Sequence, residues 1–205
     1  MRLLAALEAS RSRASIHRDL LRPRLAKYPP AVQARGEALL ASLTADTAKQ
    51  AAHLEQLLAG LGGGDIRRGQ AVFNSPKAAC MTCHAIGYMG GRIGPDLTRI
   101  GQVRSERDLL EAIVYPSVSF ARGYESVTVT TTTGEVHGGV IRSDQPEALV
   151  LATAAGAEIR LARERVKDVQ PGTVSLMPPG LDAQLTRQEL ADLLAFLKAT
   201  RSGAN

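Results

Sequence analysis

Both cysteines of the chain fall in one pentapeptide, Cys80-Met81-Thr82-Cys83-His84, and no other feature restricts its fold and chemistry as much. Four uses of such a pair can be weighed. A structural zinc site takes four ligands, but the other histidines, His17, His53 and His137, show no finger-like spacing. A redox dithiol belongs in a strand–helix–strand context, whereas this pair follows a helical pattern and precedes a glycine-rich loop. A plain disulfide has no use for the adjacent His84. The fourth use, covalent haem attachment, needs every residue of the motif. Two thiols three positions apart reach the two vinyl groups of one porphyrin, and the next imidazole lies under the iron. The motif points to one haem c per chain, bound through Cys80 and Cys83, with His84 as proximal ligand.

An iron-bound imidazole needs its second ring nitrogen held by an acceptor, which fixes the ring and raises its basicity. Gly94-Pro95-Asp96-Leu97 is placed for this. There the chain is expected to turn back beneath the ring, offering the Pro95 carbonyl to His84 and packing Leu97 on the porphyrin. An ordinary Gly-Pro turn is the plainer reading of the same residues. The sixth iron ligand is sought among Met1, Met81, Met89 and Met177. Met1 is terminal, Met81 lies inside the motif and Met89 is too near His84 to cross the ring. Met177 is followed by Pro178-Pro179, which stiffen the segment and keep it out of a helix. It is the expected ligand. A core gap-filling role is the plain alternative, and His137 is the rival ligand. His/Met ligation is low-spin and raises the reduction potential, which suits electron transfer.

Periodicity divides the chain into three kinds of segment. Residues 1–62 read as a helical extension: a first helix through Leu20, Leu21 and Leu25, a break at Pro29-Pro30, a second helix over 31–43 and a third from about Ala45 to Gly62-Gly63-Gly64. Residues 63–202 read as the haem domain. Asp65 caps a helix from Ile66 to Phe73, and Ser105-x-x-Asp108 opens another as a capping box. Thr186-x-x-Glu189 opens the last, which buries Leu190, Leu193, Leu194 and Leu197. Within this domain, residues 121–170 change to period two. Strands are expected over 124–132, 136–142, 148–153, 158–161 and 166–169, with a bulge or bend at Gly138-Gly139.

Composition adds exclusions. Aromatics are 3 % of 205 residues, with no Trp, so a large apolar cofactor would help fill the core. The net charge is +5, but the basic residues are scattered. The densest group, Arg11, Arg13, Arg18, Arg22 and Arg24, reads as a solvated helix face, and no aromatic-plus-basic pattern for nucleic acid is present. No apolar run reaches the ~20 residues of a membrane span. Haem is normally attached covalently outside the cytoplasm, yet the start lacks the apolar stretch of a signal peptide. The chain is therefore expected to be periplasmic or otherwise exported, as a trimmed form or piece of a longer protein.

Taken together, Gly69-x-x-x-Phe73, Cys80-x-x-Cys83-His84, Gly94-Pro95-x-Leu97, Met177-Pro178 and Phe196-Leu197 resemble the single-haem c-type cytochromes with His/Met ligation. More narrowly, Gly94-Pro-Asp-Leu-Thr98, Ala112-Ile-Val-Tyr-Pro116, Gly123-Tyr124 and Ser175-Leu-Met-Pro178 resemble the haem-binding domain at the C-terminus of exported, dehydrogenase-like proteins of planctomycetes and related bacteria. The resemblance implies a mostly α cytochrome c fold, here with an inserted small antiparallel β-sheet or barrel and the N-terminal helical extension. It implies first and last helices crossing near Gly69 and Phe196, and residues 1–62 as the tail of a helical part. It also implies an electron-transfer protein rather than an enzyme, fed by a redox partner protein or a fused dehydrogenase domain. His84 and Met177 are 93 positions apart, more than a minimal cytochrome needs, and the excess matches the β segment. That segment or the helical extension is open to use as a homodimer surface. The alternative function is a haem-based gas or redox sensor in which Met177 is displaced. Peroxide reduction ranks last, for want of a distal His/Arg pair.

Overall fold

A computed structural model describes residues 2–9, 18–154 and 156–200. The chain divides into two compact units, Met1–Leu57 and Leu58–Asn205.

The first unit contains α1 (Arg2–Ala9), α2 (Arg18–Leu25) and most of α3 (Pro30–Gly60). Leu4, Leu25, Leu39, Leu40 and Leu43 form its core. Gly36 lets Leu25 lie flat on α3, since a Cβ there would come within 2.5 Å of a Leu25 methyl. The Arg35 guanidinium donates two hydrogen bonds to the Glu8 carboxylate and ties α1 to α3. Pro30 opens α3, where its missing N–H costs nothing. The two helices expected over 31–62 are one. At the break expected around Thr44, the Ser42, Thr44 and Thr47 hydroxyls donate to the carbonyls of Leu39, Leu40 and Leu43 inside the helix instead of capping a new one. Of the basic group, Arg22 pairs with Glu37; Arg11, Arg13 and the nearby His17 lie outside the described residues.

The second unit begins with α4 (Ile66–Asn74) and the single turn α5 (Cys80–Cys83). A two-residue-stranded hairpin follows, β1 (Ala85–Ile86) and β2 (Met89–Gly90), then α6 (Ile100–Val103) and α7 (Glu106–Val114). Five strands come next: β3 (Ser126–Thr131), β4 (Val136–Asp144), β5 (Ala148–Ala152), β6 (Glu158–Ala162) and β7 (Val166–Pro171). The chain closes with α8 (Leu181–Gln184) and α9 (Arg187–Ala199). Asp65 caps α4 by accepting from the Arg68 N–H. Ser105/Asp108 and Thr186/Glu189 are complete capping boxes on α7 and α9.

Helices α4 and α9 cross in close contact. A Cβ on Gly69 would stand 1.9 Å from the Asp192 carbonyl oxygen, so only glycine permits this approach. Phe73 and Phe196 pack beside the crossing in a tilted arrangement, ring centroids 5.6 Å apart. The Asp192 carboxylate is buried there and accepts from the Asp65 N–H, twice from the Arg68 guanidinium, and from the Gln188 amide.

The strands form one antiparallel sheet in the order β6-β5-β4-β3-β7. Its own core is Val129, Leu149, Leu151 and Leu161, flanked by Val127, Ile141, Ile159 and Val166. The edge strand β7 is mostly exposed and carries Lys167, Asp168 and Gln170 before Pro171, residues that discourage edge-to-edge pairing. The bulge is not at Gly138-Gly139, which pair in regular register with Thr128 and Val127. Glycine is needed at 139 for another reason: a Cβ would meet the Ala152 carbonyl at 2.6 Å. The register breaks instead between Ile141 and Ser143, leaving Arg142 as the extra residue.

The expectation of a mostly α cytochrome c fold is therefore corrected. About 47 % of the chain is helix and 19 % strand, and the five-stranded sheet is a layer with its own apolar core. The architecture is mixed α and β. The correction arises because alternating valines and leucines bury a face only against one another. No helix among the described residues is long and apolar enough to cross a membrane.

Two outcomes follow for stability. Gly69→Ala should push α4 off α9 and cost about 1–3 kcal/mol or more, read from the urea midpoint. The second concerns acid. Asp192 is held well below the usual carboxylate range chiefly by its hydrogen bonds from Arg68. Glu189 is lowered from 4.5 to about 2, first by Lys77 and then by the Thr186 cap. Carboxyls depressed in the folded state stabilise fully above their unfolded pKa and lose that contribution as pH falls through the folded one. Melting temperature should therefore decline from about pH 4.5 towards pH 2. Asp192→Asn should flatten that decline.

Candidate haem-attachment site

The motif is built as a turn stitched to a loop. Helix α4 ends at Ser75, whose N–H bonds to the Val72 carbonyl, and the Ser75 carbonyl accepts from the Ala79 N–H. Ala79 takes a left-handed conformation, φ 51° and ψ 23°, unusual for a residue with a Cβ. It reverses the chain into α5, so that Cys80, Cys83 and His84 leave a single helical turn closed by the His84 N–H on the Cys80 carbonyl.

The following residues wrap back onto this turn. The Gly91 and Gly94 N–H groups donate to the Met81 and Cys83 carbonyls at 2.8 and 2.7 Å, and the Leu97 N–H to Ala85 at 2.8 Å. The Gly87 N–H donates to the Thr98 hydroxyl, and the Thr98 N–H to the Asp96 carboxylate. Glycine is obligatory in the wrap. A Cβ on Gly91 would lie 1.9 Å from the Thr82 carbonyl oxygen, and Gly90 has φ 110°.

His84 is fixed on two sides. Its Nδ1 donates to the Pro95 carbonyl at 2.8 Å, as expected from the sequence. Gly94 lies flat against the ring, where a Cβ would stand 2.5 Å from Cε1. Nε2 has no hydrogen-bond partner among the described residues. Burial pushes the imidazole pKa down, against the Pro95 hydrogen bond, which raises it. The ring is therefore neutral at neutral pH, the form that ligates metals.

Both cysteines are free and half-buried. Burial pushes the Cys80 thiol up to about 11 and raises that of Cys83. Protonated thiols are the reverse of a redox dithiol, whose thiolate is stabilised. No group of three or more His, Cys, Asp or Glu among the described residues is placed to hold a metal ion.

Cys80, Cys83, His84, Pro95 and Leu97 are thus gathered by the turn and its loop. Met177 is anchored separately, half-buried between β7 and α8: its N–H donates to the Ser175 hydroxyl, and the Ser175 N–H to the Ser117 hydroxyl beyond α7. Met89 points outward at 68 % exposure. His137 lies opposite Val129 in the sheet with a buried, unpartnered Nε2. Ala79 and Ser117 were not singled out in the sequence, and Thr98 only as the end of Gly94-Pro-Asp-Leu-Thr98. Asp96-x-Thr98 is the one signal that could have found any of them, since Asp two residues before a backbone N–H is an Asx turn. Compared with known proteins, the chain matches no family model, and no curated protein is significantly similar.

Gly94→Ala should displace the imidazole and abolish the Nδ1–H hydrogen bond to Pro95. The check is the protected Nδ1–H proton resonance of His84, present in the parent and lost in the variant. Its survival would mean that Gly94 does not aim the ring.

Proposed function

We propose that the chain carries one covalently attached haem c and serves as a one-electron carrier rather than an enzyme. The observation that supports this most directly is the juxtaposition at the Cys80–His84 turn. A neutral imidazole has Nδ1 committed to Pro95 and Nε2 left over, beside two free thiols three residues apart. These residues fit the group, and the donor set matches a c-type attachment. When bound, haem supplies an iron that cycles between ferric and ferrous states.

The rest is the work of the polypeptide. Cys80 and Cys83 would become thioethers and hold the porphyrin edge. His84 would bind through Nε2, with Pro95 keeping the proton on Nδ1, orienting the ring and raising its basicity. Leu97 would help exclude water. Met177 is the proposed sixth ligand; its segment is stiffened by Pro178-Pro179 and tied to Ser117 through Ser175. With His84 and Met177 both holding the group, the chain would have little to rearrange when an electron is carried. The proposed donor is a dehydrogenase, as partner protein or fused domain, and the proposed setting is the periplasm or another exported location, where haem c is assembled. The resemblance to single-haem His/Met cytochromes and the planctomycete haem-binding domain supports this reading through the same motifs.

The test is expression in a host competent for haem c maturation. The purified protein should show a Soret band and a mass increased by one haem, stable to denaturation. Cys80→Ala with Cys83→Ala should lose the covalent mass. Met177→Ala should open the sixth position, giving carbon monoxide binding by the reduced form and a lower reduction potential. Absence of both the Soret band and the added mass refutes the assignment, and an unchanged Met177→Ala spectrum removes Met177 as ligand.

A further inference from the structure

A cleft of about 250 Å³ lies beside the attachment turn, and none of Cys80, Cys83, His84 or Met177 lines it. One wall is the glycine-rich loop, with Gly94, Arg92 and Asp96; the other is Tyr124 and Arg142 from the β segment. Arg142 is the bulged residue of β4, and bulges re-aim a side chain that a regular strand would send elsewhere. Its guanidinium stands 5.5 Å from the centre of the Tyr124 ring, a cation–π contact.

Arg142 has no carboxylate partner among the described residues. Two arginines in the short turn between β6 and β7 do: Arg163 pairs with Asp144 and Arg165 with Glu135. Arg92 lies near enough to Asp96 to help hold that carboxyl low, but the main causes there are the hydrogen bonds from Thr98, whose N–H donates at 2.7 Å. No hydrogen bond joins Arg92 to Asp96. The loop amides of Gly91 and Gly94 are already used on the Met81 and Cys83 carbonyls, so recognition in the cleft falls to the side chains. Arg92 and Arg142, neither with a hydrogen-bonded carboxylate partner among the described residues and Arg142 set against an aromatic ring, line one concavity.

We propose that this cleft binds a small oxyanion, a carboxylate or phosphate held by Arg92 and Arg142. The guanidinium fork matches both groups. Tyr124 orients Arg142, and Asp96 at the rim opposes the anion and limits its affinity. The site does not depend on the haem assignment. Gly94 is nevertheless the shared wall, lining the cleft and backing the His84 ring, so the anion lies one backbone thickness from that imidazole.

The test is a titration of the full chain as purified, kept reduced in a buffer free of phosphate and carboxylates, following the Gly91 and Gly94 amide resonances. Inorganic phosphate and succinate are added separately. Saturable shifts with a Kd of ~1 mM or tighter are expected, and whichever anion saturates identifies the chemical source. Arg142→Met should weaken binding about tenfold or more, and Arg142→Lys should weaken it too, keeping the charge without the fork. Asp96→Asn, which leaves both arginines in place, should tighten it. No saturable shift with either anion overturns the proposal. So does unchanged affinity in Arg142→Met or, should that variant not fold, no tightening in Asp96→Asn.

Discussion

The second unit depends on the seat of Asp192 between α4 and α9. A buried carboxylate is costly unless its lone pairs are filled, and here an N–H from the α4 cap, a two-pronged guanidinium and an amide from its own helix fill them. The contact closes because Gly69 lets the two backbones meet. Helix α4 leads directly into the Cys80–Cys83 turn, so whatever fixes α4 against the last helix also fixes where Cys80 begins. Sequence-distant ends of the domain are thereby joined next to its chemistry.

Around the turn, backbone substitutes for a core. A chain with so few aromatics has little with which to pack a loop, and residues 87–98 are held by hydrogen bonds onto the turn. Such a loop keeps its shape only where carbonyls and amides meet without Cβ atoms between them, which explains its density of glycine. The result is an imidazole gripped on one nitrogen and backed on one face. That is preorganisation in the ordinary sense: on the proposed haem function, the ring would lose little orientational freedom on binding iron.

The β segment has an apolar cluster of its own, of valine, leucine and isoleucine, and it meets the loop through the Tyr124–Arg142 pair and the neighbouring cleft. Regular pairing positions the strands; the one register break in β4 is where a charged side chain reaches the loop.

Much of this was legible in the chain. The caps at Asp65, Ser105 and Thr186 follow from side chains that bond their own neighbours, and the five strands follow from a period of two residues. Pro95 as the acceptor for His84 was legible because Gly-Pro sits where a returning loop must pass. These are local rules, and local rules survive in a one-dimensional record. The break imagined near Thr44, the bulge imagined at Gly138-Gly139 and the mostly helical fold were not, because each depends on what lies across space. A hydroxyl can cap a helix or bond back into it, and a strand glycine can mark a bulge or a close neighbour. Strands can decorate a helical domain or form a layer with a core. Sequence by itself determined the periodicities, the caps and the residue types of the Cys80–His84 segment. Tertiary structure decided which glycines are pressed against carbonyls, that Asp192 is the hub, and that Arg142 is turned toward the loop. Packing and register are set by contacts between residues far apart in the chain, and no local pattern encodes them.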